Sequence, residues 1–438
     1  MFKEDVALKL TFKRGIHPRG KKSLSKNCKF EEMPTGAKVY IPMAQHIGAP
    51  AINLLEPGAY VKVGTKIGEA NGNISANIHS SVSGKLLDYV MRENPQGRRV
   101  CHAVIENDGT YEEEFMPPLV NPQKADIIKR VRDAGIVGMG GATFPTHIKL
   151  EASNEIKALI INGSECEPYI TTDHRMMVDM AGEVMKGIKH IQTALGAKSV
   201  FIGIETNKPE AIKNMSEVAS QFDDVKVYGL KTKYPQGGEK QLIYAITGEK
   251  VPNGGLPSDL GYIVLNISTA YAIYEAVDLG KPSYSRYMTI SGKGIKRPAN
   301  IYVRNGVPFQ EVIDYLGENH GYVKAVSGGP MMGVSLANLN AVVSKGTSAL
   351  LLLMKDEIRK VEPTTCINCG RCAHACPIGL LPMMTDALIF KGKVEEAKKY
   401  YPMSCIECGC CAYVCPAKRP LVQSQRLAKK LIREQGRR

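Results

Sequence analysis

The amino-acid sequence predicts a multidomain chain of α/β and α+β units, and three observations predict it. At 438 residues the chain is long enough for two to four hydrophobic cores. Near residue 120 the pattern changes from short, turn-punctuated apolar runs to strand-like and helix-like segments in alternation. Close to the C-terminus, two cysteine runs, "CINCGRCAHACP" (366–377) and "CIECGCCAYVCP" (405–416), agree at eight of twelve aligned positions. The expected units are 1–118, 119–280, 281–350, 351–425 and a basic tail, 426–438.

Residues 1–118 read as β structure, because "KVYIPM", "AYVKVGTKIGEA" and "SVSGKLLDYV" are broken by Gly, Pro and Asn turns. The pair "EPGAYVKVGTKIGE" and "IHSSVSGKLLDYV" resembles the half-motifs of barrel-sandwich (lipoyl-like) domains. Such domains carry a prosthetic group on a hairpin lysine flanked by methionine or acidic residues. No lysine here has that setting, so the unit is expected to be structural. "EEEFMPPLVNP" reads as a linker.

In 119–280, "PQKADIIKRVRDAGIVG" and "MVDMAGEVMKGIKHIQTALG" have helical spacing, while "IKALIING", "KSVFIGIE" and "GYIVLNIS" read as buried strands. Residues 281–350 run strand, turn, strand, helix, and resemble a β-grasp (soluble-ligand-binding) module. The tail "RLAKKLIREQGRR" reads as a basic, weakly amphipathic helix, a candidate docking element or simply a solvated face.

Composition excludes several classes. The longest apolar run, "ALLLLM" (349–354), is far shorter than the roughly 18–20 residues of a membrane span. The start has no continuous apolar core of a signal peptide, so a cytoplasmic chain is expected. Net charge is +14, but bound iron–sulfur cores would offset part of it, each carrying roughly −2 with its thiolates. No basic stretch is interleaved with stacking aromatics, so no nucleic-acid partner is expected.

The two cysteine runs share C-x2-C-x2-C-x3-C-P. Three thiolates three residues apart on a wrapped loop reach three corners of one cube, and the fourth, before proline, reaches the neighbouring cube. This expects one [4Fe–4S] cluster on Cys405, Cys408, Cys411 and Cys376, and a second on Cys366, Cys369, Cys372 and Cys415. Disulfides suit short secreted chains, and zinc rarely takes two such evenly spaced sets. Cys410, opposite Arg371 in the other run, is the spare. Cys28, Cys101 and Cys166 read as small buried apolar residues.

"GIVGMGGATFPTHIKL" (135–150) concentrates glycine and ends in a lysine. Such a loop lets backbone N–H groups approach a phosphate while the lysine supplies countercharge. The alternative for the stretch alone is a loop that needs left-handed backbone angles. "INGSECEPYITTDHRMM" (161–177) follows a buried strand and places Asn162, Glu165 and Glu167 at its carboxyl end, where open α/β sheets bind ligands.

Together these two stretches resemble the flavin and NADH site of the flavoprotein subunit of respiratory complex I, which reads G-x-G-G-A-x-F-P-T-x-x-K and N-A-D-E-x-E-P. "YPQGGEKQL" (234–242) and "LNIST" (265–269) resemble its third and fourth elements. Ser164 departs from the family's aspartate and Gly238 from its glutamate. The domain order, with "GIHPRGKK", "QHIGAPA" and "YVKVGTKIGE", is similar to the C subunits of Rnf complexes over nearly the whole chain. The resemblance implies FMN and NAD(H) at Gly138, Gly140, Gly141, Phe144, Lys149, Asn162, Glu165, Glu167, Tyr234, Gly237, Glu239, Asn266 and Thr269.

Within that site it implies phosphate at Lys149 and the loop amides, flavin or nicotinamide beside Asn162, Glu165, Glu167 and Asn266, and ring stacking on Phe144. These are positioning roles, with no proton-transfer catalyst. It further implies a peripheral NAD:ferredoxin oxidoreductase component at the cytoplasmic face of the membrane. Held there by membrane subunits and a ferredoxin-like iron–sulfur subunit, it would serve Na⁺ or H⁺ movement. Two alternatives share the architecture: a cobalamin reductase of propanediol-degrading microcompartments, and a non-enzymatic electron wire or scaffold.

Overall fold

The computed structural model describes residues 10–152, 154–358 and 361–435; the last three positions of the expected basic tail lie outside the described residues. The N-terminal β unit contains two antiparallel sheets. One orders Lys38–Pro42, Arg99–Asn107, Gly84–Glu93 and Tyr60–Val61; the other orders Ile52–Asn53, Lys66–Glu69 and Ile78–His79. Strand alternation buries Val39, Ile41, Ile67, Leu86 and Ile105 between them.

That core does not end at the unit's border. It is continuous with Met288, Ile301, Phe309 and Leu350 from residues 281–350. Moreover, Phe30–Glu32 leaves the N-terminal sheets and pairs in parallel with Ala299–Arg304. Residues 15–28 lie across the α/β unit instead, where Ile16 and Tyr234 exchange backbone hydrogen bonds at 2.9 Å. Sequence patterning marks a strand but not its partner, which is why 1–118 reads as one block.

The α/β unit is a parallel sheet of order Val225–Leu230, Ser199–Glu205, Ala158–Gly163 and Tyr262–Asn266. Its two central strands, Ser199–Glu205 and Ala158–Gly163, are nearly all buried, as expected for a sheet covered on both faces. The helical stretch read across 177–196 divides at Met180, into Thr172–Asp179 and Ala181–Leu195. Ala181–Leu195 packs tightly on Ile267–Asp278. A Cβ at Gly187 would lie 1.9 Å from the Ala270 carbonyl oxygen, so only glycine permits that approach.

Residues 281–350 form a mixed sheet. Ser285–Ser291 pairs antiparallel with Ala299–Arg304 and parallel with Ala349–Leu353, which pairs antiparallel with Lys324–Ser327. "ALLLL" is therefore a wholly buried central strand. In the cysteine-rich unit, Pro382–Phe390 packs against the C-terminal helix Leu421–Gln435, and Ile389, Ala397 and Ala428 share a small core. The segment expected as a tail is thus, up to residue 435, part of a packed helix. Among the described residues no helix is long and apolar enough to cross a membrane.

Candidate functional site

The chain folds the cysteine runs into two four-sulfur rings. Cys366, Cys369, Cys372 and Cys415 line one pocket. Cys376, Cys405, Cys408 and Cys411 line another, with Cys410 also in its lining. Each ring therefore takes three sulfurs from one run and the fourth from the other. The wrapping comes from repeated left-handed residues: Asn368 (φ 52°) and Gly370 (φ 73°) in one loop, Glu407 (φ 56°) and Gly409 (φ 81°) in the other.

Backbone amides turn inward, with Leu380 N–H donating to Cys376 Sγ and Glu407 N–H to Cys405 Sγ, both at 3.3 Å. Among the described residues no three His, Cys, Asp or Glu side chains converge as a single ion requires. A lone tetrahedral ion would draw each sulfur to about 2.3 Å; two sets of four cysteines, each shared between the runs, suit cubane cores. Burial pushes the thiols of Cys372 and Cys376 up, and that of Cys405 up to about 11. A cationic metal core is what makes such thiols ligands.

The rings differ in their surroundings. The Cys376–Cys405–Cys408–Cys411 ring abuts the α/β unit, where Ile16, Tyr234, Ala375, Cys408 and the fully buried Cys410 share a core. Tyr234 Oη donates to the Cys408 carbonyl oxygen at 2.8 Å. The Cys366–Cys369–Cys372–Cys415 ring faces outward: Cys369 is exposed and Ile367 is 65% exposed.

The glycine loop is a hairpin closed by Gly138 N–H to Phe144 O at 2.8 Å and Thr146 N–H to Ile136 O at 3.0 Å. Among the described residues the amides of Gly140, Gly141, Ala142 and Thr143 meet no protein acceptor. A Cβ added at Gly141 would meet nothing within 4 Å. Open, consecutive amides fit a phosphate group, so the loop suits FMN. Phe144 is half-buried at its mouth.

Beneath the loop, Met139 N–H donates to Thr269 Oγ1 at 3.0 Å. A Cβ at Gly140 would lie 2.7 Å from Asn266 Nδ2. Asn266 is fixed twice: its Oδ1 caps the helix Ile267–Asp278 through Ser268 N–H, and its Nδ2 donates to Asp173 at 2.7 Å. Lys149 Nζ donates to Glu239 Oε1 at 2.9 Å and to Val264 O at 3.1 Å. Asn162 Nδ2 donates to Gly237 O at 2.8 Å, and the Cys166 thiol accepts from Gly237 N–H. The structure therefore brings Gly138, Gly140, Gly141, Lys149, Asn162, Gly237, Glu239, Asn266 and Thr269 around one end of the parallel sheet.

Two further expected residues are held by neighbours outside that group. Glu165 is buried, accepts from Asp173 N–H and lies 3.6 Å from Lys22 Nζ. Glu167 turns towards residues 331–332, accepting from both amides at 3.0 and 2.8 Å and from Tyr234 Oη at 3.4 Å. Burial pushes its carboxyl up to about 7. Asp173, not among the expected site residues, anchors Asn266 and Ser268, and its burial, together with the nearby Glu165, pushes it up to about 6. Its signal was present, since it lies within "TTDHRMM".

Fold and site define a flavin and iron–sulfur electron-transfer chain of the complex I flavoprotein type. Residues 131–275 match the Nuo51 FMN-binding domain, 10–110 the RnfC barrel-sandwich hybrid domain and 365–418 the 4Fe–4S dicluster domain. The C subunit of the Na⁺-translocating ferredoxin:NAD⁺ oxidoreductase complex of Acetobacterium woodii is 44% identical, covering 98% of each chain. Its proton-translocating counterpart from Clostridium ljungdahlii is 44% identical over 88% of this chain and 86% of its own. The C subunit of the ion-translocating oxidoreductase complex of Rhodobacter capsulatus is 43% identical over 97% and 83%. The chain belongs to this family, the C subunits of Rnf-type complexes, each one component of a multi-subunit assembly.

A solved NAD⁺-reducing [NiFe]-hydrogenase, H2-reduced, shares the fold, with TM-score 0.51 and 18% identity over 71% of this chain and 61% of that chain. Its air-oxidised form gives TM-score 0.50 and 18% identity over 69% and 63%.

Proposed function

We propose that this chain is the electron-input component of an ion-translocating NAD:ferredoxin oxidoreductase, peripheral at the cytoplasmic face of the membrane. Membrane subunits and a ferredoxin-like iron–sulfur subunit would be its partners. Bound FMN supplies the exchange between a two-electron hydride donor and one-electron clusters. The chain's residues hold and align these groups. The loop amides and Lys149 take the flavin phosphate, and Asn162 and Asn266 border the ring side. Glu165 and Glu167 brace that border from behind, while Tyr234, Gly237, Glu239 and Thr269 shape the floor.

One observation carries the reading: Tyr234, in the flavin unit, is bonded to the loop of one four-cysteine ring, while the other ring opens to the surface through Cys369. That arrangement supports an inner site on Cys376, Cys405, Cys408 and Cys411 and an outer site on Cys366, Cys369, Cys372 and Cys415 that meets the partner. Two further points belong to this reading. The mixed-sheet pairing of 281–350 supports a β-grasp module, and the proposed divisions are 1–118, 119–280, 281–350, 351–425 and 426–438, with residues 15–32 serving as a strap across the other units.

Purified without oxygen, the chain alone should oxidise NADH with a one-electron dye and drive no ion transport. Adding it to membranes that lack only this component should restore ferredoxin-linked transport. Membranes that transport fully without it would refute the assignment.

A further inference from the structure

Lys345 is fully buried, in a loop of the mixed-sheet unit. Its Nζ donates to Asn77 O, from the N-terminal unit, and to Gly135 O, at the root of the glycine loop, both at 2.6 Å. Its own amide donates to Gln45 Oε1 at 3.0 Å, and its carbonyl accepts from the Arg286 guanidinium. Arg286 also reaches the Met139 carbonyl inside the loop at 3.4 Å. One side chain thus joins three units beneath the loop. The fit is tight, because a Cβ at Gly135 (φ 64°) would stand 2.2 Å from Asn77 O and 2.7 Å from Lys345 Nζ.

Among the described residues no carboxylate pairs with this ammonium. The ionisable groups around it are His46 and His79 of the N-terminal unit and Arg286 of the mixed sheet, none of them anionic. His79 Nδ1 is itself buried without a partner. Burial alone brings Lys345 down to about 7. A buried cation with two carbonyls and no counter-ion is costly. The group missing from its surroundings is an anion, and the open amides of Gly140 to Thr143 lie in the loop that springs from Gly135.

We propose that Lys345 is a positioning residue that braces the glycine loop from below and serves as interior countercharge to the flavin phosphate, so that FMN binding takes up a proton at this site. This rests on the flavin reading of the loop and adds to it a cation that no loop motif contains. The sign follows from linkage. Without an anion, Lys345 is largely neutral above about pH 7; with a phosphate dianion nearby it stays protonated to higher pH. Binding above pH 7 therefore consumes a proton, and affinity falls with rising pH by up to about tenfold per unit, the limit for one proton. The phosphate's own second ionisation, near pH 6, acts in the opposite direction and is complete by about pH 8.

The test is proton uptake on adding FMN to the flavin-depleted full chain at pH 8, by calorimetry in buffers of different ionisation enthalpy. The expected result approaches one proton per FMN for the natural chain and none for riboflavin, which lacks the phosphate. Lys345→Met should abolish uptake and flatten the fall in affinity between pH 7 and 9; if it does not fold, the count on the natural chain decides. FMN binding with no proton uptake would overturn the proposal while leaving the flavin site intact. No FMN binding at any pH would overturn the flavin reading and this proposal with it.

Discussion

Tyr234 and Cys408 lie in different units, yet the tyrosine hydroxyl donates to the cysteine's carbonyl oxygen across 2.8 Å, with the ring wholly buried. This bond ties the floor of the flavin site to the loop that carries Cys405, Cys408 and Cys411. Tyr234→Phe keeps the ring and deletes the donor, leaving a buried carbonyl unpaired at a cost of about 1–3 kcal/mol. Iron and flavin content should remain, and NADH should bleach the flavin at the natural rate. The later transfer to the cluster, followed by stopped-flow absorbance, should slow. Slowing of both phases equally would show that the bond serves general stability only.

Ring membership predicts unequal effects of two neighbouring cysteines. Cys376→Ala should impair the cluster held by Cys405, Cys408 and Cys411, although it lies in the other run, because its sulfur closes that ring. Cys410→Ala should retain about eight iron and eight acid-labile sulfide per chain, since two four-cysteine sets remain. Iron halved in Cys410→Ala would reassign the ring.

Lys149 ends in a contact with Glu239 and the Val264 carbonyl, both at the floor of the flavin site. Charge-assisted hydrogen bonds to a phosphate contribute about 1.5–3 kcal/mol. Lys149→Ala should therefore weaken FMN binding by roughly ten- to a hundredfold, measured by fluorescence quenching, with both clusters kept. Unchanged FMN retention after gel filtration would remove Lys149 from the phosphate site.

The basic C-terminal helix holds a cluster loop. Lys429 Nζ donates to Cys405 O at 2.6 Å and pairs with Glu407 at 2.7 Å, as does Arg426. Lys429→Ala should accelerate iron loss to a chelator from the Cys376–Cys405–Cys408–Cys411 site by several-fold, given roughly 1.5–3 kcal/mol for the charged donor. The outer site should be spared. Equal loss from both sites, or from neither, would contradict this role.

Chemistry written in short spacing was legible in the sequence; chemistry assembled across units was not. C-x2-C-x2-C-x3-C-P carries its own geometry, and the strands at 158–163, 199–205 and 262–266 are marked by apolar runs. "ALLLLM" was legible only as too short for a membrane, because a buried strand and a buried helical segment look alike at that length. Nothing local to Lys345 distinguishes it from a surface lysine, since its partners are Asn77 and Gly135. The helix break at Met180 and the pairing of Phe30–Glu32 with Ala299–Arg304 likewise depend on distant neighbours. The tail's basic residues suggested docking by composition, while Ala428, Leu431 and Lys429 fasten it to the cluster unit.

In the proposed function one chain takes a hydride from NADH and hands single electrons onward. Its most direct test mixes NADH anaerobically with chain carrying FMN and both clusters, recording flavin absorbance and the reduction of a one-electron acceptor. Flavin bleaching should come first, followed by about two acceptor molecules reduced per NADH, because a hydride carries two electrons. A chain with its full flavin and iron that NADH leaves unbleached would contradict the account.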